Sequence, residues 1–507
     1  MFWEGWSFLA PFKSEKILEI GKFPYISDSK LESCFHEKFV FLKVDESDYE
    51  NYSKINKFLE SFNSNDESID CIFINADLLK INFEKLIEKC ISILKSKGMI
   101  FIYTSRNKII STISNERNFN SFFFLGLPRP NSILIPDGNL GFKRKILEYI
   151  QQIKYRNKRF YYFFYLLRFL NSLNLFGTFF RHRLFVFVNS ESSINPTENE
   201  KNSCQLLTKE DSSFGILPVK RKNIVTEFSN DGSLEKIYKF SSGKQGKEIV
   251  SNEAKMLEYL ASYEFDKAIV PKVINYHVSL ERSYLEISVQ SELKYPKKMG
   301  EIHVDWLIEL FSKTSTLSVF RDSLFFSEIQ EKLKVINHYF KEGSNIWLNQ
   351  LCEEMVAVID DLNLPFGVVQ REFPFYHANM IGGSEKMFVF DWEFSRVNYP
   401  PLFDLFHCML SDKHISGAES VPFPERVIKT LFFSKQAQVF FKKYIKELNL
   451  PTKVVYPLFV LFLIDQLACY LPFVERLEEV DGYLDALQEM KNKSSFSFEQ
   501  WMSDVSI

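Results

Sequence analysis

The chain has 507 residues and a formal net charge of −3 at neutral pH, and this length indicates about two to four domains. Its seven cysteines are scattered without a CxxC pair and its histidines are few, which argues against a zinc site and against a disulfide framework. Residues 1–16 lack a basic start and a cleavage site. We therefore expect no secretory signal and a reducing, cytoplasmic location.

The first part of the chain alternates strand-like runs with helical patterns. Strand-like runs occupy residues 17–26, 39–47 and 70–79, and residues 86–105 are typical of a helix followed by a strand. This alternation predicts an α/β domain with a doubly wound parallel sheet. Two of the strands carry an acid at or near their ends, Asp45 and Asp77.

The segment SILKSKGMIFI, residues 92–102, together with this order of elements, resembles the class I S-adenosylmethionine-dependent methyltransferases. The resemblance implies a glycine-rich loop after the first strand and an acid, here Asp45, that binds the cofactor ribose. Only Gly21 remains in that loop, and Lys22, Phe23 and Pro24 follow it. We therefore expect a degenerate methyltransferase-like domain without S-adenosylmethionine, and an active methyltransferase stays an alternative.

A basic and aromatic insertion follows, at about residues 116–183. It opens with a proline-punctuated loop, and its part 143–183 has ten Lys or Arg and one acid, so its net charge is +9 and the rest of the chain carries −12. Such a segment suits an anionic membrane surface, peripheral at the inner face. A helical lid with a solvated basic face is the alternative. We do not expect nucleic acid as a partner, because nothing else resembles a nucleic-acid fold.

Residues 189–213 are polar and predict a linker, which divides the chain into domains 1–188 and 214–507. The second domain opens with apolar alternation on both sides of an Asn-Asp-Gly turn, which predicts a β-hairpin over 223–240. Lys239 lies near the end of its second strand, and Glu253 opens a helical pattern shortly after it. Further helical patterns cover 303–315, 327–362, 424–448 and 454–490. The last includes an apolar run that Pro457 and Asp465 interrupt, which favours a buried helix over a membrane span.

Residues 366–405 contain the strongest motif. Asn379 comes twelve residues before Asp391, which ends a short apolar run and is followed by Trp392 and Glu393. Asp and Asn supply the oxygen ligands that magnesium requires and leave room for phosphate oxygens. The sequence therefore predicts a magnesium site at Asn379 and Asp391.

This stretch, with PPLFDL after it, resembles the aminoglycoside phosphotransferase and choline kinase family. The resemblance implies an α+β protein-kinase-like domain with a small β lobe and a helical lobe, and it implies Mg²⁺ and ATP as cofactors. It also implies that Lys239 contacts phosphates, that Glu253 pairs with Lys239, and that Asp404 supports the catalytic loop through hydrogen bonds. A glycine-rich phosphate loop is not evident, and only Gly232 and the run 241–246 offer glycines.

The motif departs from the family at its catalytic base. The family has His-Gly-Asp or His-Arg-Asp five residues before the Asn, and Pro374 stands where that Asp is expected. In one alignment the loop is two residues longer and Glu372 is the base. In the other, Pro374 replaces the base, and the domain binds nucleotide poorly or without turnover. We prefer Glu372, and we interpret His377 as a loop-packing or substrate-contact residue.

We therefore expect an ATP-dependent phosphotransferase that acts on a hydroxyl of a sugar, amino sugar or amino alcohol. The first alternative is a non-catalytic scaffold, in which a pseudokinase and a pseudo-methyltransferase meet at a membrane surface. The departures at Gln370, Glu372 and Pro374 sustain this alternative.

Overall fold

The structure is a computed structural model, and the chain forms two compact units. It describes residues 16–21, 40–43, 52–60, 69–80, 82–106, 109, 113, 119–125, 133–136, 143, 147, 158–173, 182–188, 212–219, 222–229, 233–241, 243–279, 283–290, 292–340, 346–417, 421–471 and 477–492. The first unit comprises Met1–Ser251 and Val273–Ser291, and the second unit comprises Asn252–Lys272 and Glu292–Ile507. The predicted division at residues 189–213 stays a prediction, and residues 189–211 lie outside the described ranges.

The described strands and helices follow in chain order. The strands are β1 (Lys16–Ile20), β2 (Val40–Lys43), β3 (Ile69–Asn75), β4 (Leu94–Thr104), β5 (Phe119–Leu125), β6 (Ile133–Pro136), β7 (Arg183–Val188), β8 (Ser212–Val219), β9 (Lys222–Ser229), β10 (Leu234–Ser241), β11 (Ala268–Ile269), β12 (Val273–His277), β13 (Ser283–Ser288), β14 (Leu293–Lys294), β15 (Thr316–Val319), β16 (Asn363–Val369), β17 (Ala378–Ile381), β18 (Met387–Val389) and β19 (Arg396–Tyr399). The helices are α1 (Tyr52–Glu60), α2 (Phe83–Ser92), α3 (Lys158–Ser172), α4 (Gly243–Leu260), α5 (Glu301–Thr314), α6 (Leu324–Tyr339), α7 (Ile346–Ile359), α8 (Phe403–Ser411), α9 (Lys413–Ser416), α10 (Phe423–Ile428), α11 (Lys435–Glu447), α12 (Val455–Tyr470) and α13 (Leu477–Asn492).

The first unit is built on one mixed sheet with the order β12-β13-β10-β9-β8-β6-β5-β7-β4-β3-β1-β2. The strands β2, β1, β3 and β4 are parallel, as the sequence predicts. They are nearly continuous apolar runs, which is typical of strands buried on both faces. Helices α1 and α2 pack against one face of them, through a cluster that includes Ile55, Leu86, Ile74 and Ile100. The doubly wound arrangement stays a prediction, because residues 22–39 between β1 and β2 lie outside the described ranges.

The ends of β1 and β3 approach each other closely. Gly21 follows β1 with φ of +76°, and a Cβ built on it would lie 2.9 Å from the Asn75 carbonyl oxygen. Beyond β3, Asp77 accepts hydrogen bonds from the Thr104 hydroxyl at 2.8 Å and from the Ser105 amide at 2.9 Å. Asp77 therefore ties the ends of β3 and β4 together. Asp45, the predicted ribose ligand, and residues 22–24 lie outside the described ranges.

The remaining strands of the first unit are antiparallel where they follow β4. Strand β7 pairs with β4 and β5, and the sheet continues through β6 to β8. Strands β9 and β10 form the predicted hairpin, and β13 pairs with β10 and β12. The expectation of a proline-punctuated loop at the start of the insertion is wrong, because strands β5 and β6 lie there and pair with each other. Strand β8 was not predicted as a strand either, and it pairs along its whole length with β9.

The second unit is mainly helical, as expected for the C-terminal half. Its two small sheets have the orders β11-β18-β17-β14 and β15-β16-β19. The segment Thr452–Tyr470 has the length and apolarity of a membrane span, but 83% of its most apolar stretch is buried inside the protein. Within the described ranges no other helix meets that test. The prediction of a buried helix is confirmed.

Candidate functional site

A β-hairpin of the second unit carries the two predicted metal ligands. Strands β17 and β18 pair antiparallel with Asn379 opposite Phe388 and Ala378 opposite Val389. The Phe390 amide then donates to the His377 carbonyl oxygen at 3.1 Å. Val389 pairs with Ala378, the residue before Asn379, and Asp391 comes two residues after Val389. Asn379 therefore lies on one strand of the hairpin and Asp391 follows the other, as the motif predicts.

Asp391 has a backbone conformation that non-glycine residues seldom adopt. Its φ is 72°, and such a conformation costs on the order of 1–3 kcal/mol and persists only where the surroundings enforce it. The side-chain amide nitrogen of Gln370, Nε2, donates to the carbonyl oxygens of Phe390 at 2.5 Å and Asp391 at 3.0 Å. In the alignment that makes Glu372 the base, Gln370 stands at the family's His, and its side chain supplies a donor that holds Asp391.

Three carboxyl groups converge at this point. Glu253, Asp391 and Glu393 each place an oxygen within 4.8 Å of the other two. Glu253 is almost fully buried, and its carboxylate accepts a hydrogen bond from the Trp392 amide at 3.2 Å. Asn252 donates to the carbonyl oxygens of Glu393 and Ser395. The end of α4 that belongs to the second unit therefore holds the segment that begins at Asp391.

The chemistry of this cluster fits a divalent cation. Carboxylates at such separations repel each other unless a cation or a proton neutralises them. Their oxygens are the ligands that magnesium prefers. Glu253 and Glu393 would extend the predicted set of Asn379 and Asp391.

Asn379 supplies an independent test of that fit. Its side chain is fully buried, and within the described ranges neither atom of its amide makes a hydrogen bond of normal geometry. The Tyr295 hydroxyl approaches it: burial raises the pKa of Tyr295, and Asn379 partly offsets that rise. A buried amide without well-formed hydrogen bonds lowers the stability of the fold by about 1–3 kcal/mol. A role of the Asn379 side-chain oxygen as a metal ligand would explain why this amide is present.

The loop before Asn379 is anchored by Asp404, in the supporting role that the sequence predicts. The Asp404 carboxylate accepts hydrogen bonds from the backbone amides of Gln370 and Arg371, each at 2.7 Å. Burial raises the pKa of Asp404 to about 7, although these two hydrogen bonds oppose the rise. This prediction is confirmed.

Arg371 has a second anchor that the sequence analysis missed. Its guanidinium donates to Asp465 of α12, with Nε 2.8 Å from Oδ2, and Lys332 Nζ lies 2.7 Å from Oδ1 of the same carboxylate. Gln466 donates to the Arg371 carbonyl oxygen at 3.1 Å. The signal in the sequence was an Asp and a Gln inside an otherwise apolar run.

The loop before Asn379 contains a short 3-10 turn, Phe375–His377, which Pro374 precedes. His303 Nε2 lies 3.2 Å from the Phe375 carbonyl oxygen, and burial lowers the pKa of His303, so the neutral ring supports this turn. Pro374 therefore stands at a turn boundary.

Two side chains near this turn are candidates for a base. Glu372 is half-buried, and its carbonyl oxygen lies 3.2 Å from His377 Nδ1. His377 Nε2 lies 3.8 Å from Asp391 Oδ2. The structure thus brings His377 beside Asp391, and the role of Glu372 as the base stays a prediction.

Lys239 and Glu253 belong to different units. Lys239 is buried on β10, opposite Ile224 of β9 and Leu285 of β13. The ion pair between Lys239 and Glu253 stays a prediction.

The glycines of the run 241–246 belong to a helix, and Gly232 lies outside the described ranges. Gly243 and Gly246 lie in the first turns of α4, and a Cβ on Gly246 would lie 2.3 Å from the Ser241 hydroxyl. The first hairpin of this part of the sheet is formed by β8 and β9, with Val219 opposite Lys222. The two residues that separate these strands in the sequence, 220 and 221, lie outside the described ranges, and neither is a glycine.

No protein-family model matches the chain, and no curated protein matches it. The chain is similar to several solved structures. An aminoglycoside phosphotransferase from Alicyclobacillus acidocaldarius is 12% identical, with 62% of this chain and 99% of that chain covered and a TM-score of 0.38. The GDP complex of aminoglycoside 2'-phosphotransferase-IIIa is 11% identical, with 57% and 96% covered and a TM-score of 0.38. Choline kinase LicA from Streptococcus pneumoniae is 14% identical, with 55% and 91% covered and a TM-score of 0.36.

Proposed function

We propose that the chain is an ATP-dependent phosphotransferase that acts on a hydroxyl group of a small molecule and uses Mg²⁺. The observation that carries the proposal is the convergence of Glu253, Asp391 and Glu393 just beyond the hairpin that carries the buried amide of Asn379. The left-handed backbone of Asp391 supports it, because strain of this kind concentrates at functional sites. A sugar, amino sugar or amino alcohol is the proposed acceptor.

The proposed roles follow from the chemistry of each side chain. Asp391 and Asn379 hold the metal, which neutralises charge on the phosphoryl oxygens when it is bound. Lys239 contacts phosphates and Glu253 pairs with it. Because Glu253 lies beside Asp391, it can also contribute an oxygen to the metal.

We propose Glu372 as the group that accepts the hydroxyl proton. Glu reaches one methylene further than the family's Asp, and the longer loop folds into a turn between Glu372 and Asn379. His377 is the residue whose substitution is compared with that of Glu372, because its Nε2 lies 3.8 Å from Asp391 Oδ2. In the proposal, Glu372→Gln lowers kcat by about a hundredfold, while His377→Asn changes KM more than kcat.

The first test is titration of the full-length protein with Mg-ATP by calorimetry, for the wild type, Asp391→Asn and Glu385→Gln. Glu385 is the matched control, because it is an exposed acid in the turn of the same hairpin. We expect Asp391→Asn to weaken binding at least tenfold and Glu385→Gln to leave it unchanged. A panel of sugars and amino alcohols then tests phosphoryl transfer, with Glu372→Gln as the test of the base.

A non-catalytic scaffold is the second candidate, and two observations favour it. The sequence has no glycine between β8 and β9, and in the alignment without a gap Pro374 replaces the family's base. No binding at millimolar Mg-ATP, or equal binding by Asp391→Asn, would reject the phosphotransferase and leave the scaffold.

The parallel strands of the first unit suit the proposed degenerate methyltransferase-like domain. Asp77 is used to join β3 to β4, and the Gly21 backbone lies against Asn75. Calorimetric titration of the full-length protein with S-adenosylmethionine tests this interpretation. Micromolar binding would contradict it and restore the methyltransferase alternative.

A further inference from the structure

Helix α3 (Lys158–Ser172) of the first unit has apolar side chains on two opposite faces. The buried face of its second half comprises Leu167, Leu170 and Asn171. The other face comprises Tyr165, Leu166 and Phe169, with Leu173 just after the helix, and these side chains are 64%, 51%, 54% and 51% exposed. At about 100° per residue, the exposed four fall within roughly 100° of the helix circumference. They form a continuous stripe, which we call the outer stripe of α3.

The outer stripe is unusual for a helix that is already packed. A helix of a globular protein buries one apolar stripe and turns polar residues to the solvent. Here Leu167 and Leu170 are already buried, and a stripe of four exposed apolar side chains remains on the other face. A contiguous exposed apolar patch marks an interaction surface more often than a lone exposed leucine does.

The charge of the surrounding segment indicates what covers the stripe. Residues 143–183 carry ten Lys or Arg and one acid. Lys143 and Arg183 lie over the ring of Phe123, at 4.8 and 4.4 Å from its centroid. Even without these two, the basic residues of the segment outnumber its single acid by eight to one. Arg168 lies between the two faces of α3.

We propose that the outer stripe of α3 binds an anionic membrane surface, with the helix lying in the plane of the interface. Leucine and phenylalanine side chains enter the boundary between headgroups and acyl chains, and tyrosine is favoured at that depth. The basic segment is attracted to anionic headgroups. This inference is independent of the phosphotransferase.

Charge favours a membrane over a second copy of this chain. Arg168 lies beside the outer stripe on α3, so a symmetric pair formed through the stripe would bring two such cations together, and like charges placed together oppose association. An anionic bilayer satisfies both the apolar stripe and the charge.

The test is cosedimentation of the full-length protein with vesicles of phosphatidylcholine alone and of phosphatidylcholine with about one-third phosphatidylserine. The wild type is expected to bind the anionic vesicles, to bind neutral ones weakly, and to be released as salt is raised. The double variant Leu166→Ser and Phe169→Ser removes apolar area without changing charge. Its partition onto anionic vesicles should fall about tenfold or more.

The matched control is Leu324→Ser, which changes an exposed leucine, 64% exposed, at the start of α6 in the other unit. It should bind as the wild type does. All three changed side chains are exposed, so melting curves should coincide and show that folding is intact. Equal binding by the double variant, or no binding of the wild type to anionic vesicles, would overturn the proposal. A wild-type dimer in light scattering that the double variant converts to a monomer would assign the stripe to a second copy instead.

Discussion

Arg371 Nε donates to Asp465 Oδ2 at 2.8 Å, and this buried ion pair joins the loop before Asn379 to the apolar helix α12. Burial by itself would raise the pKa of Asp465, but Arg371 and Lys332 outweigh it and hold the pKa at about 2. The carboxylate is therefore ionised throughout the neutral range. The loop that precedes the candidate metal ligands rests on an ion pair that does not titrate near neutral pH.

Removing Asp465 should destabilise the protein strongly. Asp465→Ala leaves the Arg371 guanidinium, only 6% exposed, without its carboxylate, and breaking one side of a buried pair costs about 3–5 kcal/mol. Asp360→Ala is the control, because its partner Arg321 is 61% exposed and such pairs contribute under about 1 kcal/mol. Urea unfolding measures both changes. Similar losses of unfolding free energy for the two variants would show that the buried Arg371–Asp465 pair stabilises the protein no more than the exposed pair does.

Asp404 should make stability decline as the pH rises. Its pKa is raised to about 7 in the folded protein by burial and is about 4 in an unfolded chain. Between these values the folded state retains the proton that the unfolded state has lost, so stability falls from about pH 4 to about pH 7. Asp404→Asn should remove this slope, which amounts to about 1.4 kcal/mol per pH unit. Urea midpoints at several pH values measure it. A constant difference between wild type and variant across that window would contradict the prediction.

Asn379 should contribute more to the binding of Mg-ATP than to the stability of the fold. Asn379→Leu replaces a buried amide that lacks well-formed hydrogen bonds with an apolar group of similar size. It should leave the free energy of unfolding unchanged or raise it by about 1 kcal/mol. The same change should abolish calorimetric binding of Mg-ATP. A variant that loses several kcal/mol of stability would show instead that the amide is structural.

Gly21 should tolerate a side chain less well than Gly383. Both have positive φ, but a Cβ on Gly21 would lie 2.9 Å from the Asn75 carbonyl oxygen, whereas Gly383 has nothing within 4 Å. Gly383→Ala should cost about 1–2 kcal/mol for its backbone conformation alone. Gly21→Ala should cost more, because the strands must also move apart. Thermal unfolding compares the two, and equal losses would mean that β1 and β3 can separate without cost.

Local patterns predicted the parallel strands of the first unit, one β-hairpin and several helices. The hairpin over 223–240 and the helix over 303–315 appear as β9 with β10 and as α5, each within two residues of the expected bounds. Strands β5 and β6 were missed, because the prolines in and between them indicated a loop. Strand β8 was missed because its first residues belong to a polar run assigned to the linker. Pairing with β9 makes it a strand, and pairing between segments is not visible in a local pattern.

The motif placed Asn379, Asp391 and Asp404, since their spacing along the chain reflects one hairpin and one helix start. It did not place Glu253 beside Asp391, because residues 138 apart in sequence meet only through tertiary packing. The Gln370 side chain and the partners of Asp465 were missed for the same reason. In each case the sequence shows only a polar residue where an apolar one, or a His, was expected.

The continuity of the twelve described strands from β2 to β12 limits how the chain can be cut. Strand β8 lies inside the sheet, between β6 and β9, so a fragment beginning near residue 214 would turn it into an open edge. An unprotected edge presents unpaired amides and carbonyls to any other strand. Such fragments should aggregate or swap strands during purification. Loss of nucleotide binding in a truncated protein would then report the damaged edge rather than the chemistry of Asp391.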